Sequence, residues 1–117
     1  MLAGSGNFRV LLGGNGNDTL VGGAGGGFQA LFGESGDDSM LAGNGFFRNI
    51  RGGDGNDTLV AGGGLDQTLY GDEGNDSLLG GTNDNNLDGG NGNDTLNGAG
   101  GKDRLVGGNG TDWASYA

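Results

Sequence analysis

The chain has 117 residues with Gly 33, Pro 0, Cys 0 and His 0, and Lys+Arg 5 against Asp+Glu 15 give a formal net charge of -10. The missing cysteine and histidine exclude a disulfide framework, N/S zinc sites, a Cys–His nucleophile pair and a Ser–His–Asp triad, and glycine without proline or a strict every-third-residue period excludes a collagen helix. The basic footprint needed for nucleic acid or an anionic membrane is absent, no stretch reaches the ~18 apolar residues of a membrane span, and the opening Met1-Leu2-Ala3-Gly4-Ser5-Gly6 has no basic region followed by an apolar run, so any charged partner is expected to be a cation.

Internal repetition runs from Ala3 to Ser115 and makes the whole of 1–117 one expected repeat array. The first coil, near 3–21, opens on a degenerate half-turn carrying Leu11 and closes on Gly14-Asn15-Gly16-Asn17-Asp18 with a predicted strand at Thr19-Leu20-Val21. The second, near 22–41, carries Leu31, the variant Glu34-Ser35-Gly36-Asp37-Asp38, and Met40. The third, near 42–60, carries Ile50, Gly53-Asp54-Gly55-Asn56-Asp57 and Leu59. The fourth, near 61–79, carries Leu69, the variant Asp72-Glu73-Gly74-Asn75-Asp76, and Leu78. The fifth, near 80–97, carries Leu87, Gly90-Asn91-Gly92-Asn93-Asp94 and Leu96, and the sixth, near 98–115, carries Leu105, Gly108-Asn109-Gly110-Thr111-Asp112 and Ala114.

The closing aspartates of the six good turns are spaced 20, 19, 19, 18 and 18 residues apart. Between them stand degenerate half-turns opening near Ala3, Gly22, Ala42, Ala61, Gly80 and Gly98, the earlier ones with one or two inserted residues. One apolar residue per half-turn on a three-residue strand, with its neighbours alternating outward, predicts an all-β flattened solenoid of two parallel sheets and about six coils. Helix is excluded by glycine, which costs ~1 kcal/mol per helical position relative to alanine.

Glycines that tolerate positive φ let carbonyl oxygens converge, and each aspartate adds a charged oxygen at the end of its turn. Such an oxygen set suits calcium, which takes six to eight oxygen ligands in flexible geometry, better than magnesium. Six stacked turns leave five gaps, and about five divalent ions would balance the formal charge of -10.

The unit Gly-Gly-x-Gly-x-Asp-x-(apolar)-x at Gly13 to Val21, Gly52 to Val60, Gly89 to Asn97 and Gly107 to Ser115 resembles the RTX (repeats-in-toxin) calcium-binding repeat. The resemblance implies a right-handed parallel β-roll with a calcium ion between successive turns on one edge. The ligands it implies are the carboxylates of Asp18, Asp38, Asp57, Asp76, Asp94 and Asp112, with backbone carbonyls of Gly14, Gly16, Gly36, Gly53, Gly55, Gly74, Gly90, Gly92, Gly108 and Gly110. On the opposite edge the aspartate position reads Phe8, Gly27, Phe47, Asp66, Asn85 and Asp103, so weaker sites for one or two more ions are expected at Asp66 and Asp103.

Competing readings of the same residues are weaker. The Asn-Asp-Thr and Asn-Asp-Ser glycosylation patterns are generated by the repeat itself, and Asp37-Asp38 has no cleft that would make it a glycosidase pair. Phe8, Phe28, Phe46 and Phe47 in the early half-turns, with Leu12, Phe32 and Tyr70 beside them, predict either turns folded back over the sheet or a contact surface.

The expected function is a non-catalytic calcium-binding structural module that folds on taking up Ca2+ and stacks head to tail as a fibre, surface layer or adhesin component, and the RTX resemblance implies that it works extracellularly, outside a bacterial cell. The alternative is an accessory roll within a longer secreted enzyme or toxin, where the parent chain supplies the activity. A third reading, an ice-binding adhesin segment, needs regular outward rows. The row Asn15, Ser35, Asp54, Glu73, Asn91, Asn109 is irregular and partly charged.

Overall fold

Two residues after each apolar position of the Leu11–Leu105 row stands a glycine, and two before every apolar row position stands a polar residue, so an extended chain there turns three side-chain positions to one face. The computed structural model describes residues 8–23, 27–45 and 48–116. Among these described residues twelve strands form, and no helix. Long strands β1 (Phe8–Asn15), β3 (Phe28–Ser35), β5 (Arg48–Asp54), β7 (Gln67–Glu73), β9 (Asn85–Asn91) and β11 (Arg104–Asn109) build one six-stranded sheet. Short strands β2 (Thr19–Val21), β4 (Ser39–Leu41), β6 (Thr58–Val60), β8 (Ser77–Leu79), β10 (Thr95–Asn97) and β12 (Trp113–Ser115) build the other.

The chain alternates between the sheets at every turn and every pairing is parallel, which makes a β-solenoid flattened into a slab of 38 × 34 × 14 Å. The two apolar rows stand in register as the repeat predicts. Leu20, Met40, Leu59, Leu78, Leu96 and Ala114 are successive partners in the short sheet. Leu11, Leu31, Ile50, Leu69, Leu87 and Leu105 are successive partners in the long one.

The core is one side chain thick between the sheets. Nine of these residues, from Leu20 to Leu96, are at most 1% exposed, and Leu11 and Leu105 pack partly buried against them. Ala114 is exposed, because among the described residues β12 has a neighbour on one side only and alanine is too short to reach inward.

Strand length differs between the sheets, against the expectation of three-residue strands throughout. The short sheet has that length, whereas the long strands run through the opening glycine of the next turn. The extension adds two buried rows to the long sheet. Gln29, Arg48, Gln67 and Asn85 lie on one side of the apolar row, and Gly33, Gly52, Gly71 and Gly89 on the other.

On the outer face Arg51 lies 4.9 Å above the Tyr70 ring and forms an ion pair of 2.9 Å with Asp72, leaving Tyr70 half-buried. Phe8 and Phe28 stack at 5.3 Å but stay exposed, so they do not fold back over the sheet. Phe46 and Phe47 lie outside the described residues.

Candidate metal centre

Each good turn leaves its long strand through two residues at positive φ. The second of them is glycine in every coil, with φ of 131° at Gly55. A Cβ on Gly55 would stand 2.0 Å from the Gly36 carbonyl oxygen, so successive coils approach backbone to backbone there. The first positive-φ position is more tolerant: Glu34 (80°) and Asp72 (78°) hold it in the two variant turns, at some local strain.

The turn delivers its aspartate inward. Asp38, Asp57, Asp76 and Asp94 are buried, while Asp18 and Asp112 are half-buried. Their carboxylates form a continuous ladder in which each Oδ1 accepts a hydrogen bond from the aspartate N–H one coil back. The donors Asp18, Asp38, Asp57, Asp76 and Asp94 reach Asp38, Asp57, Asp76, Asp94 and Asp112 at 2.7, 2.8, 2.8, 2.8 and 2.9 Å.

The other oxygen has no such role. Oδ2 of Asp18, Asp38, Asp57, Asp76 and Asp94 is buried without a hydrogen-bond partner. Each lies against the opening glycine of its own turn, beside the carbonyl of the equivalent glycine one coil on. A Cβ built on Gly52 would meet Asp57 Oδ2 at 2.2 Å and the Gly71 carbonyl oxygen at 2.7 Å. On Gly71 it would meet Asp76 Oδ2 at 2.3 Å and the Gly89 carbonyl oxygen at 2.5 Å. A buried anionic oxygen without a partner costs several kcal/mol, and here it recurs coil after coil beside a carbonyl.

Like charges stacked at the ~4.8 Å spacing of neighbouring strands repel one another. Burial, offset in part by the backbone hydrogen bond and reinforced by the neighbouring carboxylates, pushes Asp57 up to about 6 and Asp76 to about 7. Asp94 is raised for the same leading reason, its burial. No three carboxylates converge among the described residues. A cation in this ladder would therefore be held by few carboxylates and by backbone carbonyls, an all-oxygen set that fits a hard divalent ion.

Of the glycines expected to supply carbonyls, Gly16, Gly36, Gly55, Gly74 and Gly92 point theirs along the stack at the next coil's turn. Sequence reasoning missed the opening glycines Gly33, Gly52, Gly71, Gly89 and Gly107, whose carbonyls lie beside the partnerless oxygens. The glycine two residues after each apolar position of the long strands was the available signal. Beside this ladder runs a second one, of opposite sense. Oδ1 of Asn17, Asp37, Asn56, Asn75 and Asn93 each accepts the N–H of the equivalent residue one coil on, at 2.8, 2.8, 2.8, 2.8 and 2.9 Å. That side chain therefore clamps coils together.

The opposite edge moves Asp66 out of the expected row, along with Phe8 and Gly27. Register pairs Gln29 with Arg9 and Arg48, and Gln67 with Asn85, so the inward row reads Arg9, Gln29, Arg48, Gln67, Asn85 and Asp103. Asp66 stands one residue before this row, exposed and at φ 51°. The residue inserted ahead of it in the 61–66 half-turn shifts it off the inward face, since strand side chains alternate with period two. Phe8 is likewise one residue early, and Gly27 two. Asp103 does repeat the first edge's geometry. Its Oδ1 accepts the Asn85 N–H at 2.9 Å, and its Oδ2 is buried without a partner, as is Asn85 Oδ1.

The sequence model of the RTX calcium-binding nonapeptide repeat (4 copies) matches residues 10–28, 30–46, 49–78, 62–96 and 79–114. The chain belongs to the RTX calcium-binding repeat family. No curated protein and no solved structure matches the chain significantly. The RTX roll is a calcium-binding β-roll module, and its repeat aspartates form the ladder in which Oδ2 of Asp18, Asp38, Asp57, Asp76 and Asp94 lacks a protein partner.

Proposed function

We propose that this RTX roll is a non-catalytic structural module that folds as calcium ions enter the gaps along the Asp18–Asp112 edge. The supporting observation is the row of buried Oδ2 atoms without partners, each beside a backbone carbonyl of the next coil. About five ions fill that edge, one per gap, held by the six aspartates with carbonyls of the turn glycines. On the opposite edge Asp103, with Asn85, holds one further weaker site, and Asp66 is left out because it stands off the inward row. Without metal, the stacked carboxylates repel and 33 glycines favour the open chain.

Such a module works outside a bacterial cell, where calcium is abundant enough for a carbonyl-rich site; extracellular calcium modules bind in the ~10⁻⁴–10⁻³ M range. Binding then adds directly to folding free energy. The test is a calcium titration of chelator-stripped protein followed by far-UV circular dichroism, with magnesium as control. A coil-to-β transition with calcium alone is expected. A β-rich, calcium-indifferent protein would overturn the proposal.

A further inference from the structure

The two edges are built to one plan but end in opposite chemistry. On the first edge, the atom found where a Cβ would grow from the opening glycine is a carboxylate Oδ2, 2.3 Å away at Gly33 and 2.2 Å at Gly52. At Gly22 on the second edge a guanidinium nitrogen, Arg48 Nη1, stands 2.9 Å away, and a carboxylate oxygen returns at Gly98, where Asp103 Oδ2 stands 2.4 Å away.

Arg48 is 1% exposed, and among the described residues no carboxylate lies within ion-pair distance of it. Its partners are neutral oxygens. Nη2 donates to the Gly23 carbonyl at 3.0 Å, and Nη1 donates to Gln29 Oε1. Gln29 Nε2 reaches the same Gly23 carbonyl at 3.4 Å. One coil on from Arg48, Gln67 needs no ion at all. Its Oε1 accepts the Gly62 N–H at 3.1 Å and its Nε2 donates to the Gly62 carbonyl at 3.2 Å.

We infer that the Gln29–Arg48–Gln67 row closes the second edge without metal, the Arg48 guanidinium standing as a resident cation among the carbonyl-type oxygens that would otherwise face an ion. A buried positive charge with oxygen partners and no carboxylate has the environment of a bound cation, and it repels a second one. Metal therefore loads the first edge along its length, while the second edge is barred to it until the row changes from nitrogen donors to the partnerless oxygens of Asn85 and Asp103. The Arg48 contacts tie the coil of β5 to that of β3 on this side without metal, while Gln67 closes its own turn.

The inference rests on the calcium reading of the first edge, and the test separates the two. In the calcium-saturated full chain, ¹⁵N NMR is expected to show individually resolved, slowly exchanging Arg48 Nη–H signals, whereas those of exposed Arg104 average. Averaged Arg48 signals would overturn the inference whatever any variant does. The variant Arg48→Ala at saturating calcium is expected to melt on the order of 10 °C lower than wild type, with an unchanged number of bound ions and partial recovery in millimolar methylguanidinium. An unchanged melting temperature, or a lower ion count, would also overturn it. A wild-type protein that binds no calcium would instead remove the proposed function, and the NMR measurement would still report on Arg48.

Discussion

Asp57 Oδ1 accepts a 2.8 Å hydrogen bond from the backbone N–H of Asp38, while Asp57 Oδ2 is buried with no protein partner. One carboxylate thus does two jobs, with one oxygen holding coil to coil and the other facing the carbonyl of Gly71. Asp57→Asn keeps an oxygen for the Asp38 N–H but removes the charge and puts an amide where the free oxygen stood. Calorimetric titration should show about one fewer bound ion and a calcium midpoint raised about tenfold, which is ~1.4 kcal/mol. Wild-type stoichiometry and midpoint in this variant would remove Asp57 from the ligand set.

The raised aspartates set a pH dependence whose sign can be worked out. In the metal-free roll Asp57 sits at about 6 and Asp76 at about 7, above their ordinary value of 3.8. Between those values the folded state holds more protons than the open chain, so calcium-free stability rises as pH falls through 7 toward 4 and is lost as pH rises. Acid thus favours a metal-free roll that pH 7.5 leaves open. Circular dichroism of the chelator-stripped protein should show more strand at pH 4.5 than at pH 7.5, and an equal or smaller strand signal at pH 4.5 would contradict burial as the cause of the shifts.

Glycines differ sharply in what they tolerate. A Cβ at Gly74 would lie 1.9 Å from the Gly55 carbonyl oxygen, at φ 121°. At Gly100 the nearest atom would be 3.4 Å away, with φ in the ordinary range. Gly74→Ala should lower stability in saturating calcium by several kcal/mol, whereas Gly100→Ala should change it by less than about 1 kcal/mol or raise it slightly. Equal melting temperatures for the two variants would show that the coils do not approach as closely as described.

The core is a single layer, so each of its side chains faces the opposite sheet with nothing behind it. Leu69 is fully buried between its partners Ile50 and Leu87. Leu69→Ala should cost ~2–5 kcal/mol in thermal or chemical unfolding of the calcium-loaded protein, without altering the ion count. Leu65, nearly half exposed in the preceding turn, should tolerate serine with little change.

Much of this molecule is legible in the sequence because a repeat turns one local rule into a whole architecture. The apolar rows, the alternation between two parallel sheets and the aspartate ladder all follow from spacing. A residue that recurs every 18 to 20 positions must recur at the same place on each coil. What spacing could not show was the register of the second edge, where inserted residues break the count. Counting forward from the turn put Asp66 inward, whereas hydrogen-bonded pairing with β9 puts Gln67 there, and a shift of one residue reverses the face of a strand. The same one-residue shift put Phe47 in the count where pairing puts Arg48, buried against Gln29 and Gly23. The sequence by itself determined the repeat, its core and its aspartates, since these depend only on neighbours within a turn. Only the tertiary structure decided which side chains close the second edge, since that depends on how one coil meets the next.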